Sequence, residues 1–314
     1  MNNFQEFALA DWGTSNLRVW IANDQKGVEK KFTSPHGAGR LSSGQFYGIL
    51  KDILLEAGIK LSAARRFPVI ICGMAGSRTG WAEASYVPVP ASCSQILNAP
   101  VLIQTDDLDV YILPGLAQQN KETPDVMRGE ETQILGLCVQ RPDFSGLVCL
   151  PGTHSKWAVL ERGHVSSFHT AMTGELFALL SKQSVLAHVI GADDFFEPAD
   201  QAFKDGVLAG YHHPERIIFD LFSIRARGLL FSASGAQAAA RLSGMLIGAE
   251  ISVSMRGAGK GQGCALVATG RLLHLYQQAF DSLDYVVERF DADELVQTGL
   301  NFAAQQIGRK AGQA

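Results

Sequence analysis

Two widely separated stretches of the chain carry groups whose types and spacing suit a phosphate. Ala10 to Trp20 reads ADWGTSNLRVW and Cys149 to Val159 reads CLPGTHSKWAV, each an apolar strand, a Gly-Thr turn and a returning strand. Backbone N–H groups in such a turn converge on one point, and a hydroxyl joins them, which is what phosphate oxygens require. The first turn offers Gly13, Thr14 and Ser15, and the second offers Gly152, Thr153 and His154 with Lys156 close behind. Two such turns far apart in one chain suggest two half-molecules facing one nucleotide.

The two turns are not chemically equivalent. Asp11 ends the first strand, and a single strand-end carboxylate suits a Mg²⁺ ion that carries phosphates and takes few protein ligands. Arg18, on the returning strand, could neutralise charge on the transferred group. In the second stretch Leu150 stands where the first has Asp11, so only the first half supplies a metal-side acid. The competing reading of the first stretch is an ordinary hairpin with an acid before it, which the repetition at Gly152 and Thr153 weakens. For Lys156 the competing reading is a surface lysine on a strand.

Further groups lie between and beyond the turns. Glu130 and Glu131 follow Gly129 at a helix start, where acids suit the macrodipole, and where a carboxylate could also accept a hydroxyl proton during phosphoryl transfer. Ser77 and Arg78 close the glycine-rich loop GMAGSR at a strand end, a place for a guanidinium to hold a substrate carboxylate or to pair with a nearby acid. Thr173, Gly174 and Glu175 begin a helix, and Thr173 and Glu175 join the substrate candidates. His212 and His213 read as surface loop. Gly257 to Gly263 (GAGKGQG) mimics a phosphate loop but lacks the GK[ST] ending and precedes its strand, so it reads as a flexible connection.

The elements that position these groups follow from apolar spacing. Phe7 to Asp11 and Leu17 to Ile21 read as a hairpin, and Phe46 to Ala57 as an amphipathic helix with Phe46, Ile49, Leu50, Ile53 and Leu54 on one face. Pro68 to Cys72, Val101 to Gln104 and Val110 to Leu113 read as short strands, and a helix starts near Glu130. Leu147 to Leu150 opens the second hairpin after the polar stretch RPDFSG, which places a boundary near Gln140 to Gly146. Beyond it come a helix from Gly174 to Lys182, an irregular charged stretch from Gly191 to Asp205, and a long small-residue helix from Gly235 to Ser254. The strand Cys264 to Ala268 then meets Gly270 and a helix to Phe280, and Asp293 to Gln305 closes as a helix. The expected division is residues 1–143 as the domain of the substrate and first phosphate turn, and 144–314 as the domain of the second turn and the adenosine.

Composition narrows the partners. A chain of 314 residues, 46% hydrophobic and 18% charged, is ordinary globular protein with length for two cores. Its net charge of −4 argues against nucleic acid, which demands a basic surface. Cys72, Cys93, Cys138, Cys149 and Cys264 form no CxxC pair and read as reduced core thiols. Without a basic, apolar leader or an apolar run of membrane length, the expectation is a cytoplasmic protein away from the membrane.

These features together resemble the sugar kinase, heat-shock ATPase and actin superfamily. Six strings narrow the match: DWGTSNLR from Asp11, GMAGSRTGW from Gly73, YVPVPA from Tyr86, MRGEETQILG from Met127, PGTHSKW from Pro151 and MTGELF from Met172. In these the chain is similar to the 2-dehydro-3-deoxygalactonokinases. The resemblance implies an α/β, two-domain actin-like ATPase (ribonuclease H-like) fold with the nucleotide in the interdomain cleft. It also implies ATP-dependent phosphorylation of the C6 hydroxyl of 2-dehydro-3-deoxy-D-galactonate. By the same carry-over Asp11 orients Mg²⁺, both turns embrace the ATP phosphates, Gly270 lies near the adenosine, and Glu130 or Glu131 is the base. The partners are then a small sugar acid and ATP, with a homodimer left open. The rival readings are an ATPase or nucleotide-binding regulatory module of this fold acting without a sugar acid, and a filament-forming module of the actin kind.

Overall fold

The computed structural model describes residues 4–191, 195–256 and 263–311. Gly257 to Gln262 of the expected flexible connection, and 192–194 of the expected irregular stretch, lie outside them. The chain forms two compact units, the first comprising Met1–Phe144, Leu160–Ser167 and Ala292–Ala314, the second Ser145–Val159 and Phe168–Asp291.

In the first unit the chain runs β1 (Glu6–Trp12), β2 (Leu17–Asn23), β3 (Gly27–Ser34), α1 (Phe46–Glu56), β4 (Phe67–Gly73), β5 (Tyr86–Pro88), β6 (Ala91–Ser92), β7 (Val101–Gln104), β8 (Leu108–Ile112), β9 (Gly115–Gln118), β10 (Asp125–Met127) and α2 (Glu130–Gln140). The main sheet has the order β3-β2-β1-β4-β8-β7, with β1 to β3 antiparallel and β1, β4 and β8 parallel. A second, short sheet is ordered β10-β9-β5. Because β1 is covered on both faces, its apolar run is continuous and not alternating. Ala8, Ala10 and Trp12 pack with Phe46, Leu50 and Ile53 of α1, whereas Phe7 and Leu9 lie in a separate cluster with Leu135 of α2.

The second unit, with Leu160–Ser167 of β12 and β13 counted in the first, continues with β11 (Gly146–Leu150), β12 (Ser155–Glu161), β13 (His164–Ala171), α3 (Thr173–Gln183), α4 (Ala187–Ile190), α5 (Gln201–His212), α6 (Ile217–Phe231), α7 (Gly235–Met255), β14 (Gly263–Ala268), α8 (Gly270–Ser282) and β15 (Glu288–Asp291). Its strands follow the order β15-β14-β11-β12-β13, with β11, β14 and β15 parallel. This repeats the first sheet: an opening central strand, a meander on one side and parallel strands on the other. Two such sheets in one chain are the actin-like ATPase arrangement that the sequence led us to expect.

Three expectations change. The closing helix α9 (Ala292–Ala311) packs in the first unit, not with residues 144–291. It meets α2 at glycines: a Cβ on Gly136 would stand 2.0 Å from Leu295 O, and one on Gly299 would stand 2.1 Å from Thr132 O. The stretch read as irregular to Asp205 becomes helical from Gln201, capped by the Asp200 carboxylate accepting from Ala202 N at 2.7 Å. Cys93 and Cys138 form a disulfide, so the reading of five reduced thiols holds only for buried Cys72, Cys149 and Cys264.

Candidate active site

In the first unit the acids gather where β1, β4 and α2 end or begin. The hairpin register sets Asp11 opposite Arg18, and the parallel register sets it beside Cys72. Arg18 is engaged on both sides: its guanidinium bonds the Asp11 carboxylate and that of Asp293 at the start of α9. Lys31 Nζ reaches the same Asp293 at 3.2 Å. The Cys72 Sγ–H points at Asp11 Oδ1 from 3.7 Å. Burial pushes the Cys72 thiol well up, and the charges of Asp11 and Glu131 add to it, so it remains a protonated donor.

Two glycines let backbone approach this carboxylate. Gly73 has φ +88°, and a Cβ there would meet Trp12 O at 2.6 Å and Asp11 Oδ1 at 3.4 Å. Gly129, with φ +111°, lies close enough that its Cβ would be 3.5 Å from Gly73 Cα. Both acids that follow fold back over their own helix start. Glu130 Oε2 accepts from Arg128 N at 3.1 Å, while Glu131 accepts from Gly129 N at 2.6 Å and from Thr132 Oγ1 at 2.9 Å. Glu131 is 1% exposed, and burial, reinforced by the charge of Glu130, pushes its carboxyl up to about 7. The helix-start role and a perturbed acid thus coexist in one pair.

The first Gly-Thr turn is braced from behind. Gly13 N donates to Asn16 O at 2.9 Å, and Ala38 N and Gly39 N donate to Gly13 O and Thr14 O at 2.9 and 3.0 Å. Thr14 and Ser15 stay exposed. Arg78 is 87% exposed and faces only Glu83 at 3.7 Å, the ion-pair alternative, while Ser77 N closes the loop on Met74 O at 3.0 Å. Arg128 is a half-buried cation of this region. It lies over the Tyr86 ring at 4.4 Å and donates from Nη2 to Ala84 O at 2.7 Å, so it ties the loop to the start of α2.

In the second unit a buried carboxylate organises the second turn. Glu250, in the middle of α7, accepts from Trp157 Nε1 and from Tyr276 Oη, each at 2.8 Å, and Tyr276 Oη lies 2.9 Å from Ser155 Oγ behind Gly152. Burial raises the Glu250 carboxyl, and hydrogen bonds from Thr173, Trp157, Tyr276 and Ser155 oppose that rise. Helix α3 docks on the turn through Gly174, where a Cβ would stand 2.5 Å from Gly152 O. Glu175 N donates to Thr153 O at 3.0 Å, and the Glu175 carboxylate pairs with His154. Thr173 and Glu175 therefore group with the second turn. Lys156 is no surface lysine: it is buried, with Nζ donating to Thr170 Oγ1 at 2.7 Å.

Beside this turn opens a cavity of about 300 Å³ lined by Gly152, Gly174, Phe177, Phe195, Leu246 and Arg271 among others. The Arg271 guanidinium lies over Phe195 and Phe196 at 4.8 and 4.6 Å and donates to Phe196 O at 2.7 Å. Gly270, at φ +55°, starts α8 directly after β14 and so delivers Arg271 to the cavity wall. Its flat apolar walls and one cation suit a stacked aromatic base. Asp293, Cys72, Glu250 and the Gly37–Gly39 brace are the site residues that sequence reasoning missed.

The sequence model of the 2-keto-3-deoxy-galactonokinase family matches residues 11–303. A probable 2-dehydro-3-deoxygalactonokinase of Rhizobium meliloti is 42% identical over 96% of this chain and 97% of its own length. The 2-dehydro-3-deoxygalactonokinase of Escherichia coli is 33% identical over 96% of this chain and 98% of its own. A crystal structure from Sinorhizobium meliloti, provisionally described as the same enzyme, superposes with a TM-score of 0.91 at 42% identity, covering 96% of this chain and 99% of that one.

Proposed function

The chain belongs to the 2-keto-3-deoxy-galactonokinase family, and from that premise we propose that it transfers the terminal phosphoryl group of ATP to the C6 hydroxyl of 2-dehydro-3-deoxy-D-galactonate. The family and its relatives favour this kinase over a regulatory ATPase. The observation that carries the reading is a division of chemistry. Asp11, Glu130 and Glu131 stand together in the first unit, whereas the second builds an aromatic cavity against its Gly-Thr turn.

Among the described residues no three His, Cys, Asp or Glu side chains converge as a metal cage. Asp11 beside the exposed Thr14 and Ser15 fits the other mode, a Mg²⁺ ion borne on phosphates and held by one carboxylate. Such an ion, when bound, neutralises phosphate charge. Arg18, held between Asp11 and Asp293, orients the Asp11 carboxylate; this replaces a direct role on the transferred group. Glu130, the more exposed of the acidic pair, takes the proton of the attacking hydroxyl. Glu131 fixes Gly129 and the helix start from which Glu130 projects. Arg78 leaves its loose pair with Glu83 to hold the substrate carboxylate bidentately, with Ser77 beside it. In the second unit Gly152, Thr153 and His154 face the phosphates, Thr173 and Glu175 brace them, Lys156 lends positive charge, and the cavity beyond Gly270 takes the adenine. No helix among the described residues is long and apolar enough to cross a membrane, and a cytoplasmic location is part of the proposal.

The test is a coupled ADP-release assay over a panel of sugar acids with ATP and Mg²⁺. Turnover is expected with 2-dehydro-3-deoxygalactonate and not with glucose or gluconate, and Asp11→Asn should abolish it with an unchanged circular dichroism spectrum. ATP hydrolysis indifferent to every sugar acid would replace the proposal with the regulatory ATPase.

A further inference from the structure

Helix α6 turns an apolar face to solvent. Its sequence is IIFDLFSIRARGLLF, and Ile224 at its centre is buried in the core of the second unit, which fixes the inner side. With 3.6 residues per turn, the side opposite Ile224 carries Ile218, Phe219, Phe222, Ala226, Leu229 and Leu230, without a charge among them. Ile218 is 83% exposed, Phe219 76%, Leu230 73% and the terminal Phe231 74%. These large side chains leave roughly 800 Å² uncovered, against ~300–600 Å² for the largest patch of a typical monomer and ~800 Å² given by each partner in a standard interface.

The face is also self-complementary. Ile217, Ile218 and Phe219 before Ile224 are mirrored by Leu229, Leu230 and Phe231 after it, and bulky Phe222 is mirrored by small Ala226. Laid antiparallel on a copy of itself about a two-fold axis beside Ile224, the helix sets apolar on apolar along its length. Each Phe222 then lies against the Ala226 of the other copy. The charges do not oppose this. Arg216 and Asp220 pair at 3.1 Å, Arg225 donates to Val185 O at 3.1 Å, and Arg227, three residues after Ile224, lies on the inner side of the helix and away from the face. We propose that α6 is a homodimer interface in which two copies of the chain pair this helix antiparallel.

The full chain at micromolar concentration should sediment with twice the mass of one chain. Phe222→Glu with Leu229→Glu, both on the exposed face, should halve that mass without changing the circular dichroism spectrum. A second variant fixes the geometry: Ile218→Cys with Leu229→Cys should give a covalent dimer with a short bismaleimide, whereas either single variant and the parent chain should not. The two positions lie about 16 Å apart along one helix, beyond a short linker, yet meet across an antiparallel pair. A parent chain that sediments as a monomer overturns the proposal. So does a dimer that survives both glutamates, or cross-linking of the single variants as efficient as that of the double.

Discussion

Replacing Glu131 by Gln tests whether burial controls the acidic pair. The unfolded carboxyl titrates near 4.5 and the folded one near 7, because the folded site excludes water and sets Glu130 beside it. Between those values the native state holds a proton that the unfolded state has released, so stability falls as pH rises through the window. Below 4.5 both states are protonated, and above 7 both are ionised. The gap corresponds to about 3 kcal/mol of native stability, present at the acid end and lost above neutrality. Gln keeps the shape and can still accept from Gly129 N, but it does not titrate. Urea unfolding of parent and Glu131→Gln, followed by circular dichroism from pH 4.5 to 8, should therefore show their stability difference moving by about 3 kcal/mol in favour of the variant as pH rises. Titrations of groups remote from Glu131 cancel in the difference. A difference flat across the window would mean that Glu131 is ionised throughout, and that its burial does not govern its proton.

Three further substitutions address the other parts of the site. Gly174→Ala would push a methyl to 2.5 Å from Gly152 O and 2.8 Å from Thr153 Cα, a backbone clash that must shift α3; ATP affinity by calorimetry should fall by roughly tenfold or more, at a stability cost of about 1–3 kcal/mol. Arg271→Ala removes the cation over Phe195 and Phe196, and the KM for ATP should rise about three- to thirtyfold with the KM for the sugar acid unmoved; equal rises in both would contradict an adenine site. Asp293→Asn leaves Arg18 to Asp11 alone, so kcat should fall about tenfold at constant KM, with Asp293→Glu recovering part of it; an unchanged kcat would remove Asp293 from the positioning of Asp11.

The elements legible in the sequence were those whose local signals agree. The first hairpin, α1, β4, α2 and α7 emerge from apolar period and turn residues, and the structure has them within a residue or two. Helix α5 was lost because Gly206 and Gly210 weaken its helical signal; they are there for close packing, since a Cβ on Gly210 would stand 2.1 Å from Met245 O of α7. Helix α6 escaped for the opposite reason. It is apolar nearly all round, and a helix with no polar face shows no period to detect.

The site divides along the same line. Asp11, Gly152 and the acidic pair were visible because each sits at an end of its own element, where side-chain type and position reinforce each other. Asp293 and Glu250 were not, because they act on groups 275 and 93 positions away, and only the fold brings them there. Arg18 is the instructive case between. A strand, a short Gly-Thr turn and a returning strand already fix which residues face each other, and that pairing sets Arg18 directly across from Asp11. A guanidinium one strand spacing from a carboxylate is engaged by that carboxylate before any substrate arrives. In the proposed mechanism it therefore holds the acid still, and a role on the transferred phosphoryl group would require Asp11 and Asp293 to release it.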